Sequence, residues 1–315
     1  MDSQVVALTV WMKRATPLLL SVHLRYPTLP VLCISEFFQL KKLPAVFNGI
    51  VKHAGRWRDA KLSLPAIYLA VAWSLTQQNA SHLETVDIND TSITMLGPVD
   101  LAGPMILRAD TADTLSELSV RASLSCAAKV APFVRLRTLS LEHSLPENCL
   151  ILLKFCPVLE DLTLHFHDIH NITLTFDHPI LLSRLRNFHL SHTGNSADGN
   201  SSLSAGSEVG LVLDSLELPN LKGFYLWTTI VGLDRYSDPE LPWDYLFRLI
   251  IRSNCSLNEL ELRAAYMENS SIMKCVEISP YLKYVGIPWD EELEDEVRQS
   301  LPSLQSLRMF EGLAR

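Results

Sequence analysis

One short apolar phrase, Leu-x-x-Leu-x-Leu with close substitutes, recurs along this chain and leaves it few ways to fold. It reads HLETVDI from His82, LSELSV from Leu115, LRTLSL from Leu136, LEDLTL from Leu159 and LRNFHL from Leu185. It continues as LKGFYL from Leu221, LNELEL from Leu257, LKYVGI from Leu282 and LQSLRM from Leu304. Counted from Leu83, successive first leucines stand 21 to 36 residues apart. A unit of this kind cannot bury its apolar face alone, so the units must stack. Strand alternation then turns the leucines to one side of each phrase and the residues between them to the other.

Helical patterns separate the phrases. SLPENCLILLKF places Ser144 three residues before Glu147, a capping-box spacing, with Pro146 in the first turn. PWDYLFRLIIRSN from Pro242 and DEELEDEVRQSL from Asp290 repeat the plan, the latter with acids first and Arg298 late, as the helix dipole favours. Upstream, PLLLSVHL from Pro17 and RWRDAKLSL from Arg56 read as strands. Between them, the segment from Ser35 carries helical spacing, with Pro44 as a kink or boundary and Gly55 as its C-terminal stop. The repeat band of roughly 20–29 residues, with the longer spacings as insertions, predicts an α/β leucine-rich-repeat solenoid. Its form is a horseshoe with a concave parallel β-sheet and convex helices. We expect one continuous domain: degenerate repeats or a cap over 1–81, and the repeats proper over 82–315. A glycine- and serine-rich excursion over 193–208, without apolar periodicity, reads as a mobile loop, with a phosphorylated regulatory segment as the alternative.

Composition narrows the function classes. A net charge of −8 argues against a nucleic-acid or anionic-membrane binder, which would present a basic face. The amino terminus is acidic, with Lys13 and Arg14 after the apolar stretch, the reverse of a secretory signal. No apolar run approaches the roughly 18 residues of a membrane span. A cytoplasmic or nuclear monomer is therefore expected, with its six cysteines reduced and mostly buried, since none forms a C-x-x-C pair.

Beyond the repeat itself, particular lines resemble a known family. WMKRATPLLLSVHL from Trp11 is similar to the tryptophan-led helix and Pro-Leu-x-Leu strand of fungal F-box-type leucine-rich-repeat proteins. HAGRWRDAKLSLP from His53 resembles the Arg-Trp-Arg step that follows, and LKFCPVLEDLTL from Leu153 the Cys-Pro-x-Leu-x-x-Leu line that opens the repeats. IRSNCSLNELEL from Ile251 and ISPYLKYVGI from Ile278 fit the same template. The resemblance implies a substrate-recognition region of a ubiquitin-ligase adaptor. Family members carry an F-box upstream of the tryptophan-led segment, where this chain has ten residues. LPAVFNGIV from Leu43 has a superficial likeness to that motif, but occupies the place of the helix before the Arg-Trp-Arg strand. Ubiquitin-ligase subunits are thus expected as partners only if an F-box is supplied upstream. The other reading is a structural or regulatory leucine-rich-repeat protein with no ligase role.

Chemistry-bearing motifs are sparse. There is no G-x-S-x-G elbow, no G-x-x-x-x-G-K loop and no H-E-x-x-H, so we expect neither an enzyme nor a cofactor. LTLHFHDIH gathers His165, His167, Asp168 and His170, and alternation puts His165 and His167 on one face. We read them as polar residues of an exposed strand and expect no metal, because no further ligands are specified. The expected partner is another protein, identity open, held by residues between the leucines: Thr163, His165, His189, Tyr225, Trp227, Glu259, Glu261 and Arg263. Tyr225 and Trp227 alternate on the strand before Glu259 and Glu261, the aromatic-and-charge composition of binding hot spots. Two outcomes stay open for these aromatics: exposure, or cover by the insertion that runs through Leu241.

Overall fold

The computed structural model describes residues 3–25, 45–79, 81–91, 105–107, 113–122, 124–126, 132–167, 178–195, 209–231, 244–263 and 267–310. They fall into two compact units, Met1–Leu136 and Arg137–Arg315.

The first unit contains α1 (Ser3–Arg14), β1 (Leu20–Arg25), α2 (Ala45–Val51), a 3-10 turn (Ala54–Arg56), β2 (Trp57–Leu64) and α3 (Ala66–Asn79). It continues through β3 (Thr85–Asp90), β4 (Met105–Leu107), β5 (Glu117–Arg121) and β6 (Leu124–Cys126). Strands β1, β2, β3 and β5 are parallel neighbours in that order, and β4 pairs separately with β6.

The second unit holds β7 (Thr138–Glu142), α4 (Pro146–Leu153), β8 (Asp161–His167), β9 (Ile180–Leu181), β10 (Asn187–Asn195), β11 (Leu216–Glu217) and β12 (Gly223–Val231). After these come α5 (Tyr245–Ser253), β13 (Glu259–Arg263), α6 (Asn269–Glu277), β14 (Tyr284–Pro288), α7 (Glu291–Ser300) and β15 (Ser306–Phe310). Strands β7, β8, β10, β12, β13, β14 and β15 form a parallel sheet in chain order, while β9 and β11 make a small pair of their own. The architecture is α/β, a parallel sheet flanked by helices.

The recurring phrase has a recurring hydrogen-bond signature. Just before it, the first leucine's N–H closes a turn onto the carbonyl three residues back: Leu136 to Phe133, Leu159 to Cys156, Leu185 to Leu182, Leu221 to Leu218, Leu282 to Ser279 and Leu304 to Leu301. The next residue's carbonyl then accepts two N–H groups from the following phrase. Arg137 O takes Glu160 and Asp161, Glu160 O takes Arg186 and Asn187, and Arg186 O takes Lys222 and Gly223. Lys222, Asn258 and Lys283 continue the series, and Glu84 does the same in the first unit. Two donors on one carbonyl leave no freedom to slip by a residue, which would turn every leucine outward. The first leucines from Leu83 to Leu282 are accordingly buried, while Leu304, in the last phrase, is only partly so.

The Arg-Trp-Arg step is structural. Trp57 lies in the core, and Arg56 donates to the carbonyls of Met12, Ala15 and Leu18, satisfying groups that the end of α1 leaves open. Arg252 repeats the device on the carbonyls of Leu213 and Leu216, after the helical stretch at 209–214.

Several local expectations need correction. The cap residue of α4 is Leu145, one residue after Ser144, and it offers no side-chain acceptor; the helix begins with Pro146. Gly55 sits inside the 3-10 turn instead of ending a helix, because α2 already stops at Val51. Thr193, Gly194 and Asn195 belong to β10, paired with β12, where the sequence suggested the start of a loop; 196–208 lie outside the described residues, as does Pro44. By contrast, α7 carries its acids first and Arg298 late as expected; Asp290 accepts the Leu293 N–H at 3.0 Å as its cap, and Glu294 pairs with Arg298. Cys149, Cys156, Cys255 and Cys275 are buried free thiols, and burial pushes the Cys275 thiol up to about 12. No helix among the described residues is long and apolar enough to cross a membrane.

Leu162, fully buried on β8, tests the core. Leu162→Ala should cost about 2–5 kcal/mol in chemical denaturation. The same change at exposed Leu181 should stay within roughly 0.5 kcal/mol.

Candidate functional site

All eight residues nominated between the leucines lie in the second unit, on the side of its sheet away from the buried leucines. Parallel register makes them neighbours. His189 is paired with Thr163 on one side and Tyr225 on the other, Tyr225 with Glu261, and Trp227 with Arg263. Because equivalent positions of successive phrases stand side by side, an outward residue's partners on neighbouring strands are some 23 to 36 residues away in sequence.

The densest part spans β12 to β15 and is organised around Glu261. Its Oε1 accepts from Trp227 Nε1 at 3.0 Å and from Arg263 Nε at 2.8 Å, while Oε2 accepts the Tyr284 hydroxyl at 2.6 Å. Three donors, one charged, compensate for the desolvation of this carboxylate. The Arg263 guanidinium lies over Phe310 at 3.8 Å and over Trp227 at 4.6 Å. Gly286, opposite Glu261, leaves room for this cluster. A Cβ there would stand 2.9 Å from Glu261 Cγ and 2.8 Å from Phe310 Cε2, which is too close for any larger residue without a shift.

Towards β10, the rings of His189 and Tyr225 stack with centroids 4.1 Å apart. The Tyr225 hydroxyl donates to Glu259. Burial, and then the hydrogen bond to Glu259, push the Tyr225 hydroxyl above its ordinary range; burial and the bond to Glu261 push Tyr284 up to about 12. Both phenols therefore remain donors at neutral pH. Burial holds His189 below the usual histidine range, against the opposing pull of Asp161, Glu261 and Glu259.

Trp227 is 45% exposed and Tyr225 is half-buried, while residues 232–243 of the insertion lie outside the described residues. Glu261 corrects an expectation. It is 5% exposed and serves as the buried anchor of its neighbours, not as an open contact residue. Tyr284, Gly286 and Phe310 were not nominated. The phrases LKYVGI and LQSLRM place Tyr284 and Arg308 in the outward row, so the same alternation rule could have found the row they share with Phe310.

A second group surrounds the histidine motif. His165 Nδ1 meets Ser191 Oγ at 2.5 Å, His165 Nε2 meets Thr193 Oγ1 at 3.1 Å, and Thr193 Oγ1 meets His167 Nδ1 at 2.9 Å. Glu142, at the end of β7, lies beside them with His143, whose ring stacks on His167. Asp168 and His170 lie outside the described residues. Neither Glu142 nor His143 was anticipated, because His143 enters only through a left-handed backbone at φ 64°.

Compared with known proteins, the chain matches no family model and no curated sequence.

Two measurements probe this site. Glu261→Gln keeps one acceptor but replaces the other with an amide NH2, so at least one of the part-buried donors loses its partner. We expect a loss of about 1–3 kcal/mol, read by thermal denaturation. His189 has a folded pKa below its unfolded value near 6.5, so the unfolded state binds more protons below that value. Stability should fall as pH drops from about 7 towards 5, and His189→Gln should flatten that slope.

Proposed function

We propose that this chain is a leucine-rich-repeat solenoid whose concave sheet binds another protein and performs no chemistry. Its relationship is to the substrate-recognition region of fungal F-box-type ubiquitin-ligase adaptors. The supporting observation is the exposed Trp227, held in place by Glu261 and Arg263 instead of packed into the core. Large aromatic surface offered to solvent by residues already fixed in position has little ordering left to lose on binding. Tryptophan, tyrosine and arginine are also the residue types that dominate binding hot spots. The surrounding groups are hydrogen-bond acceptors, donors and phenols that stay protonated, which suits recognition and provides no nucleophile.

Affinity capture with the full chain and with Trp227→Ala tests this reading. The substitution should reduce recovery of a reproducible protein partner at least tenfold while changing stability by about 1 kcal/mol or less. Undiminished recovery, or a stability loss of several kcal/mol, would remove Trp227 from the binding surface. Co-recovery of Skp-type and cullin subunits with that partner supports the ligase relationship; a partner recovered without them supports an interaction protein with no ligase role.

A further inference from the structure

We propose that Glu142, His143 and His167 form a binding site for one divalent transition-metal ion of the zinc class. His143 Nε2 and His167 Nε2 stand 3.5 and 3.7 Å from the same oxygen, Oε1 of Glu142. Those separations are too long for hydrogen bonds. They are close to the roughly 3.4 Å between two ligand atoms that each sit about 2.1 Å from a tetrahedral ion. One ligand atom from each residue can be chosen so that all three lie within 4.8 Å of one another.

The hydrogen bonds behind His167 are compatible with the tautomer a metal needs. Thr193 Oγ1 stands 2.9 Å from His167 Nδ1 and 3.1 Å from His165 Nε2. When the Thr193 hydroxyl donates to His165 Nε2, its oxygen accepts from His167 Nδ1, and the lone pair of a neutral His167 falls on Nε2, the atom nearest Glu142 Oε1. A lone pair and a carboxylate oxygen brought together in this way are ligands for a shared cation. A hydroxyl that fixes the far nitrogen of a ligating histidine is the usual outer support of such a site.

His143 supplies the adaptable part. It lies on the bend after β7, at φ 64°, a backbone region that disfavours a residue with a Cβ, yet one that brings its ring over His167. The two rings lie face to face, 4.2 Å between centroids and 9° between planes. Convergence of both lone pairs on one ion requires one ring to tilt. His167 is held on its strand by Thr193, so the tilt falls to His143, on the bend after β7. Side-chain exposures of 15% for His143, 28% for Glu142 and 33% for His167 leave the group accessible, with room for water to complete a four-coordinate shell.

Chelator-treated full-length protein, titrated with zinc chloride and separately with cobalt(II), tests the proposal. One zinc should bind per chain, and cobalt should give the visible absorption of a four-coordinate ion. His143→Ala, His167→Ala and Glu142→Gln should each weaken zinc binding at least tenfold, and Thr193→Val by about tenfold through its hold on His167. His178→Ala and His82→Ala, elsewhere in the chain, should bind as the parent does. Circular dichroism checks each fold, and Glu142→Gln, which keeps the shape of the side chain, decides the matter if a histidine variant does not fold. Absence of saturable uptake, or equal uptake by the parent and by folded variants at positions 142, 143 and 167, overturns the site.

Discussion

The repeated sharing of one backbone carbonyl by two N–H groups of the next phrase is the constraint on which the rest of this structure depends. It falls on the residue after the first leucine, in phrase after phrase, from Glu84 to Lys283. Burial of that leucine fixes how deep each strand sits, and the shared carbonyl fixes its offset along the neighbour. With both set, the outward positions of successive phrases have no choice of partner. Asn187 donates to Asp161, His189 stacks on Tyr225, and Trp227 lies beside Arg263, because each pair occupies one register position.

That regularity concentrates unlike chemistry at different places on one sheet. Across β12 to β15, aromatic rings alternate with arginines around one buried carboxylate. Glu261 tolerates burial because each of its oxygens is met by a donor, and the donors are rings and a guanidinium that need holding in turn. Across β7, β8 and β10 the outward row is imidazole, hydroxyl and carboxylate: hydrogen bonds link Ser191, His165, Thr193 and His167, and Glu142 Oε1 stands 3.7 Å from His167 Nε2. The first unit carries a simpler polar version. There Asp59 accepts from Ser21 and Thr85, and those two bonds hold its carboxyl below the usual carboxylate range.

Much of this was legible in the sequence. The leucine phrases marked β3, β5, β7, β8, β10, β12, β13, β14 and β15, and the two upstream strands were visible in PLLLSVHL and RWRDAKLSL. Cap details were less so. Ser144 and Glu147 have capping-box spacing, yet Pro146 begins the helix after Leu145, and spacing alone does not set the entry of a chain into a helix. Thr193 to Asn195 look like loop by composition, but the ladder to β12 holds them as strand. Glu261 read as a contact residue because alternation tells which side a residue faces and not how deeply its neighbours cover it.

The sequence by itself determined the parallel strands, their order and the face on which each side chain emerges, because those follow from a period of two and a leucine that must be buried. Tertiary structure alone decided which of the outward residues act together. Glu261 with Tyr284 and Phe310, and Glu142 with His143 and His167, are brought together by lateral register between strands and, at His143, by one left-handed backbone position. Phrase alignment tells which positions lie side by side, but not which of those side chains reach one another, and the left-handed turn at His143 leaves no mark in the spacing of residues along the chain.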